Sequence, residues 1–557
     1  MAAVSTLVNR DRVALAVFIA LWLGVGLFGR DPWKPDEAYS FGLVRHILQT
    51  GDWLVPTLAG EPFMEKPPLF FLSAAAFAQL FGGLLAAHEA ARLACAFYAG
   101  LTLLFVWLAA RELYGRPQAL AAMLILASCI GYFHTAHLLV TDNALVAGIA
   151  IALYGLALAR KKPALGGIAL GTGTGIAFMA KGLIGPGMVA LTALALLAAP
   201  AWRTRAYARS LAFAALAFAP WALIWPWALY RHSPELFREW LIVNNFGRYT
   251  GTADLGPERD HLMYLKILPL FALPALPLAA CGAWRRWREP PIFLPLAASG
   301  AMLALLSSAC SARYVYALPM LVPLSVLAGA AFERAPTWLH RGLLWLGLSL
   351  GAAAALILWL GWLALLVHWP APVAQTLLGF RPDFVPAIDI LPTALAVAAT
   401  LGALFAIQRI ASAALAVPFA WALGTTLAWT LFFTLWLGYQ DYGNSYRDTI
   451  TDMKAHFPEG ANCIAQRDLG EPQRAMLEYF GGIVAHPVTS PRAAGCELLL
   501  VQQQGYAAPL PPHDPQWIAL WSGTRPGDVT ERFWLFGSAE RVQNAERQNR
   551  ALIAAKR

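Results

Sequence analysis

Charge is what this chain has least of. Only 13% of its 557 residues are Asp, Glu, Lys or Arg, while 59% are hydrophobic. Soluble domains carry about a quarter charged residues. A surface this poor in charge excludes an ordinary soluble enzyme and implies a protein mostly embedded in lipid. Cysteine is scarce too, at six residues. There is no CxxC pair and no metal-knuckle spacing, which excludes zinc ribbons and dithiol redox motifs. Cys95, Cys129, Cys281 and Cys310 lie in apolar segments and read as core residues. A phosphate-cradling loop is also missing. Gly171-Thr172-Gly173-Thr174-Gly175 is glycine-rich, but it lies inside an apolar stretch with no strand before it. Close helix packing through small residues explains it better, and no nucleotide cofactor is expected.

What is present is a series of apolar stretches of spanning length, running from Val13 to Trp436. The net charge of +9 gives no reason to expect nucleic acid, because the basic residues sit in short linkers between these stretches. Those linkers are Arg10–Arg12, Arg111–Arg116, Arg160–Lys162, Arg203–Arg209, Arg285–Arg288, Arg334–Arg341 and Arg409. The positive-inside bias places them in the cytoplasm. The expected spans are then 13–29, 93–110, 117–138, 143–160, 164–180, 186–200, 209–230, 263–283, 291–309, 315–332, 341–366, 386–407 and 411–436. That is about thirteen, with the N-terminus inside and the C-terminus outside. The first is read as a retained span, with no small-residue cleavage site behind it. Pro68–Leu85 breaks the parity. It is expected to lie at or dip into the outer leaflet; a true span is the alternative.

The fold expected is mainly α: a polytopic membrane domain over 1–436, with outer loops 30–92 and 231–262. A small extracytoplasmic α/β domain over 437–557 follows. That last region is polar, with short apolar runs such as Cys463-Ile464-Ala465 and Leu498–Val501 that read as strands, and Arg474–Phe480 reads as part of a helix. Cys463 and Cys496 each lie beside such a run; whether they pair is open.

Acids at three places in otherwise apolar surroundings fall on the outer side. Asp36 and Glu37 open the first loop in Lys34-Pro35-Asp36-Glu37-Ala38-Tyr39. Glu65 stands in Met64-Glu65-Lys66-Pro67-Pro68, and Asp142 in Leu139-Val140-Thr141-Asp142-Asn143. Each alone fits a hydrated loop end; together they suggest a site. Cations collect on the same side against the positive-inside bias: Lys66, Lys181, Arg248, Arg259, Arg313 and, beside them, His261 and Tyr316. An anionic ligand explains them, since guanidinium and ammonium groups suit phosphate; for any one of them the alternative is snorkelling. His134 and His137 lack a third ligand and make a poor metal signal.

The order Asp-Glu-Ala-Tyr, Phe63-Met64-Glu65-Lys66-Pro67-Pro68-Leu69, Thr141-Asp142, Lys181-Gly182 and Tyr316-Ala317-Leu318-Pro319 resembles the GT-C membrane glycosyltransferases. The branch is that of the protein O-mannosyltransferases and the bacterial lipid A aminoarabinose transferases, most like the latter. The resemblance covers about residues 10–440. It implies transfer of 4-amino-4-deoxy-L-arabinose from undecaprenyl phosphate to a lipid A phosphate at the periplasmic face of a bacterial inner membrane. It further implies Asp36 as the catalytic acid, with Asp142 and Glu37 beside it. Lys66, Arg313 and Tyr316, together with Arg248 or Arg259, would lie near the carrier phosphate. Glu65 and His261 would be candidates for a divalent metal (Zn, Mg or Mn). The chain departs from the pattern at Ser311-Ala312-Arg313, where relatives often carry Lys. The chain is expected to act as a monomer among membrane lipids. Two other readings stay open: a GT-C enzyme with another lipid-linked sugar or a protein acceptor, and a transporter. Few charges fall in mid-span and no repeat is evident, which disfavours the transporter.

Overall fold

The structure, a computed structural model, describes residues 12–253, 260–331, 334–410, 415–458, 461, 463–505 and 516–539. The chain opens with α1 (Arg12–Gly24), α2 (Asp36–Thr50) and α3 (Leu69–Phe81), followed by the long α4 (Ala87–Tyr114). Next come α5 (Arg116–Ser128), α6 (Asp142–Leu158), α7 (Pro163–Lys181), α8 (Ile184–Leu196) and α9 (Arg205–His232). The bent pair α10 (Met263–Phe271) and α11 (Ala275–Ala283) leads to α12 (Pro290–Ser308), α13 (Leu318–Ala331), α14 (Thr337–Val367), α15 (Ile390–Ile410) and α16 (Ala416–Leu435).

Among the described residues, eight helices are long and apolar enough to cross a bilayer, or nine if α10 and α11, bent by 102°, form one broken span. That is fewer than the thirteen expected. With that pair counted, the expected spans that fall short are 13–29, 117–138, 143–160 and 186–200. α6 has 17 residues and every one but Tyr154 is buried. α8 has 13 residues, and the expected span 117–138 breaks at the extended residue Cys129. α3 has 13 residues, about 20 Å at the helical rise, too short for a hydrocarbon core of about 30 Å. It packs Phe70, Phe71, Ala74, Ala75 and Ala78 inward.

The glycine run of α7 is a packing device, as its place inside an apolar stretch implied. A Cβ at Gly173 would lie 2.5 Å from Ala152 N and Gly148 O of α6. On the opposite face, a Cβ at Gly171 would lie 2.2 Å from Ala214 O of α9. Backbone meets backbone on both sides, which only small residues permit.

Beyond α16 the composition changes and strands appear. α17 (Leu437–Asn444), α18 (Arg447–Ala455) and α19 (Glu471–Gly481) accompany β1 (Ile464–Arg467), β2 (His486–Pro487), β3 (Leu498–Gln504), β4 (Trp517–Gly523) and β5 (Glu531–Ser538). The strands form a mixed sheet in the order β2-β1-β3-β5-β4, with β1 parallel to both β2 and β3 and the rest antiparallel. Alternation along β5 buries Glu531, Phe533, Leu535 and Gly537, as a half-covered strand requires. Cys463 and Cys496 are joined in a disulfide.

This region grips the first loop. Asp441 accepts the Asp31 amide at 2.9 Å and the Trp33 indole N–H at 2.7 Å. Asp31 pairs with Arg447 and accepts from Ser445. Lys34 reaches Asp528 at 3.1 Å and Glu531 at 3.3 Å.

Under that loop lies a buried brace. Glu37 receives both terminal nitrogens of Arg30 and the Nε of Arg92. It also accepts the amides of Leu139, at 3.0 Å, and Trp33. The guanidiniums in turn donate to the carbonyls of Gly26, Leu27, Arg30, Asp31 and His137. Burial by itself would raise the Glu37 pKa; the charges of Arg30 and Arg92 outweigh it and hold the carboxyl at about 2 against an ordinary 4.5. Its contribution to stability is therefore complete above 4.5 and is lost as pH falls through about 2. Glu37→Gln leaves two buried guanidiniums without a counter-charge. We expect it to cost about 3–5 kcal/mol, read as a large drop in the melting temperature of the detergent-purified protein.

Candidate active site

Asp36 begins α2, and the helical spacing decides what surrounds it. Tyr39 is three residues on and shares its face. Glu37, one residue on, points instead into the brace described above. Glu37, expected beside the catalytic acid, is thus a structural carboxylate whose oxygens are already occupied by Arg30, Arg92 and two backbone amides.

The Tyr39 hydroxyl accepts from Lys66 Nζ and lies in the field of Asp36. The ammonium also lies 4.9 Å from the Tyr39 ring centroid. Burial pushes the Tyr39 hydroxyl well above its ordinary range, and the negative charges of Asp36, Glu65 and Asp142 push it further. It therefore stays protonated near neutral pH.

A second acid–base pair stands beside the first. Asp142, at the start of α6, pairs with Lys181 at the end of α7. The Lys181 ammonium sits 4.3 Å from the ring centroid of Tyr316, as a cation over an aromatic face. Lys181 also feels the charges of Lys66 and Asp36, so the two pairs share one electrostatic neighbourhood. Arg248 closes the cluster: it donates to Glu65 at 2.9 Å and 3.4 Å and lies near Tyr316.

Asp36, Glu65, Lys66, Asp142, Arg248 and Tyr316 are therefore brought together, with Lys181 among them. Arg313 is exposed at the start of the short helix Tyr314–Ala317, close in sequence to Tyr316, and among the described residues its side chain has no partner. Arg259 lies outside the described residues. His261 is exposed, and its Nδ1 is held by the carbonyl of Ser307. It is not joined to Glu65, which Arg248 engages. Among the described residues, no group of three or more His, Cys, Asp or Glu could hold an ion.

Several contributors were not anticipated. Tyr39 was present in the motif, and its i+3 spacing from Asp36 was the available signal. Glu471, at the start of α19, borders the cluster from the C-terminal region: burial raises its pKa, and the nearby charge of Glu65 adds to that. Arg30 and Arg92 are buried arginines in an apolar chain, but their common partner is visible only in three dimensions.

The family model of dolichyl-phosphate-mannose-protein mannosyltransferase matches residues 65–229. The chain is similar to undecaprenyl phosphate-alpha-4-amino-4-deoxy-L-arabinose arabinosyl transferase 1 of Sodalis glossinidius, 33% identical over 57% of this chain and 58% of that one. It is also similar to the Pseudomonas aeruginosa transferase of the same description, 30% identical over 61% of this chain and 64% of that one. In each case the match spans less than two thirds of the relative's length. Among solved structures, ArnT from Cupriavidus metallidurans bound to undecaprenyl phosphate superposes with a TM-score of 0.68, at 18% identity, over 95% of this chain and 98% of that one. Its apo state gives 0.63 at 17% identity. The chain therefore has the polytopic helical GT-C fold of those membrane proteins.

Proposed function

We propose that this chain is a glycosyltransferase that moves 4-amino-4-deoxy-L-arabinose from undecaprenyl phosphate to a phosphate of lipid A. It would act at the periplasmic face of a bacterial inner membrane. The observation that carries this reading is the convergence of two carboxylates, Asp36 and Asp142, with Lys66, Lys181 and Arg248 in one cluster. The names of the relatives of matching sequence, and the carrier lipid in the similar solved structure, support the choice of donor. The topology that goes with this reading is the thirteen-pass arrangement expected from the charge bias, with the sheet of residues 464–538 outside.

The chemistry follows from the charges. In the donor, the bond between the sugar's anomeric carbon and the carrier phosphate oxygen breaks, and the leaving phosphate gains negative charge. Lys66, Lys181, Arg248 and the exposed Arg313 would stabilise that charge where it develops. A phosphate acceptor is already ionised, so no general base is required. Asp36 and Asp142 would then hold the 4-amino group, which is cationic near neutral pH, and stabilise positive charge developing on the sugar ring. With a hydroxyl acceptor Asp36 would instead act as general base.

The test uses a polymyxin-susceptible Gram-negative host lacking its own transferase. Expression of the chain should restore survival and add the mass of aminoarabinose to lipid A. Asp36→Ala, expressed equally in the membrane, should lose at least about 100-fold in transfer. Unmodified lipid A with the wild-type chain, donor being available, would point to another acceptor. Tyr39→Phe removes the hydroxyl that Lys66 addresses. It should lower turnover about tenfold while leaving the melting temperature nearly unchanged, in steady-state assays with purified protein.

A further inference from the structure

Asn245 carries neither charge nor nucleophile, yet it grips the turn that presents Lys181. After Lys181 the backbone passes through Gly182 at φ 70° and ψ −144° before re-entering helix at Ile184. The Leu183 amide donates to Asn245 Oδ1 at 2.9 Å. The Asn245 Nδ2 donates in turn to the carbonyl of Trp240 at 2.8 Å. Trp240 is 1% exposed and packs against Trp225, Phe178 and Phe237. The amide is thus anchored on one side by a buried aromatic cluster and holds the turn on the other.

The fit around the turn is tight. A Cβ on Gly182 would lie 2.1 Å from Asn245 Oδ1, and its positive φ independently favours glycine. The Lys-Gly pair is therefore required by the asparagine that clasps it. The segment bearing Asn245, Glu239–Gly247, is a π-helix, a form rare in proteins and enriched at functional sites. Three residues beyond Asn245, Arg248 reaches Glu65 and lies near Tyr316, and Tyr316 is the ring beneath the Lys181 ammonium. One short segment therefore holds the lysine's turn by its backbone and brings Arg248 beside the lysine's platform.

We propose that Asn245 is a positioning residue for Lys181. It fixes the Lys181-Gly182 turn so that the ammonium stays between Asp142 and Tyr316, where an anionic phosphate would meet it. The link to phosphate rests on the function proposed above; the link between Asn245 and Lys181 does not.

The experiment uses the full chain in lipid nanodiscs and two readouts. The first is the rate at which an amine-reactive acylating reagent labels Lys181, followed by mass spectrometry. The second is the affinity for undecaprenyl phosphate itself. Asn245→Ala should label Lys181 at least about fivefold faster and weaken carrier binding by a similar factor. In a Lys181→Ala background it should weaken binding no further, because residues acting as a unit are non-additive. Asn245→Asp keeps the oxygen that Leu183 addresses and should label within about twofold of wild type; it carries the test if the alanine variant is lost from the membrane. Asn244→Ala, at the neighbouring position, should change neither readout. Unchanged Lys181 labelling in Asn245→Ala, labelling of Asn245→Asp as fast as that of the alanine variant, or additive effects on binding would overturn the proposal. Wild-type protein that binds no undecaprenyl phosphate while Lys181 labelling still responds to Asn245 would sink the functional reading and leave the positioning role standing.

Discussion

The structure depends on one carboxylate. Glu37 sits between Arg30 and Arg92, out of water, and accepts two backbone amides as well. A buried charge survives only when its partners and hydrogen bonds are complete. Completing them forces the 26–37 segment, α4 and the turn at His137–Leu139 into a fixed relation. Asp36 and Asp142 stand at the two edges of this knot, one residue from Glu37 and three from Leu139. The electrostatics of the brace therefore fix the frame from which the candidate site is hung, although Glu37 itself faces away from it.

That arrangement explains what could be read from the sequence. Acids next to apolar stretches signal a site, and Asp36, Glu65 and Asp142 do converge. Glu37 carries the same signal for the opposite reason, since a buried structural carboxylate and an active one look alike in a string of letters. Helical phase separates them: Asp36 and Tyr39 share a face, while Glu37 lies about 100° round the helix. His261 was named for a metal only through the resemblance; in the structure its Nδ1 meets the carbonyl of Ser307, a contact no sequence pattern announces. Asn245 left no trace, because its meaning lies wholly in a turn 62 residues away.

The fold was legible to a similar depth. Hydropathy located the helices well, but length alone could not say which are bathed in lipid. α6 is apolar because protein surrounds it, and a helix buried in protein need not be long enough to cross a bilayer. The parity argument fared better with α3, where the conflict in charge counting arose at a helix too short to cross. The strand-like runs after residue 436 marked the sheet. Its grip on Asp31, Trp33 and Lys34 was invisible, because charges so common in loops say nothing about their partners.

The glycine seam of α7 has a consequence for traffic. With backbone touching backbone on both its faces, the wall formed by α6, α7 and α9 has no crevice wide enough for an isoprenoid tail. A lipid-borne reactant cannot slip between those helices. On the function proposed above, a lipid-borne donor would have to reach the acids by another side of the cluster.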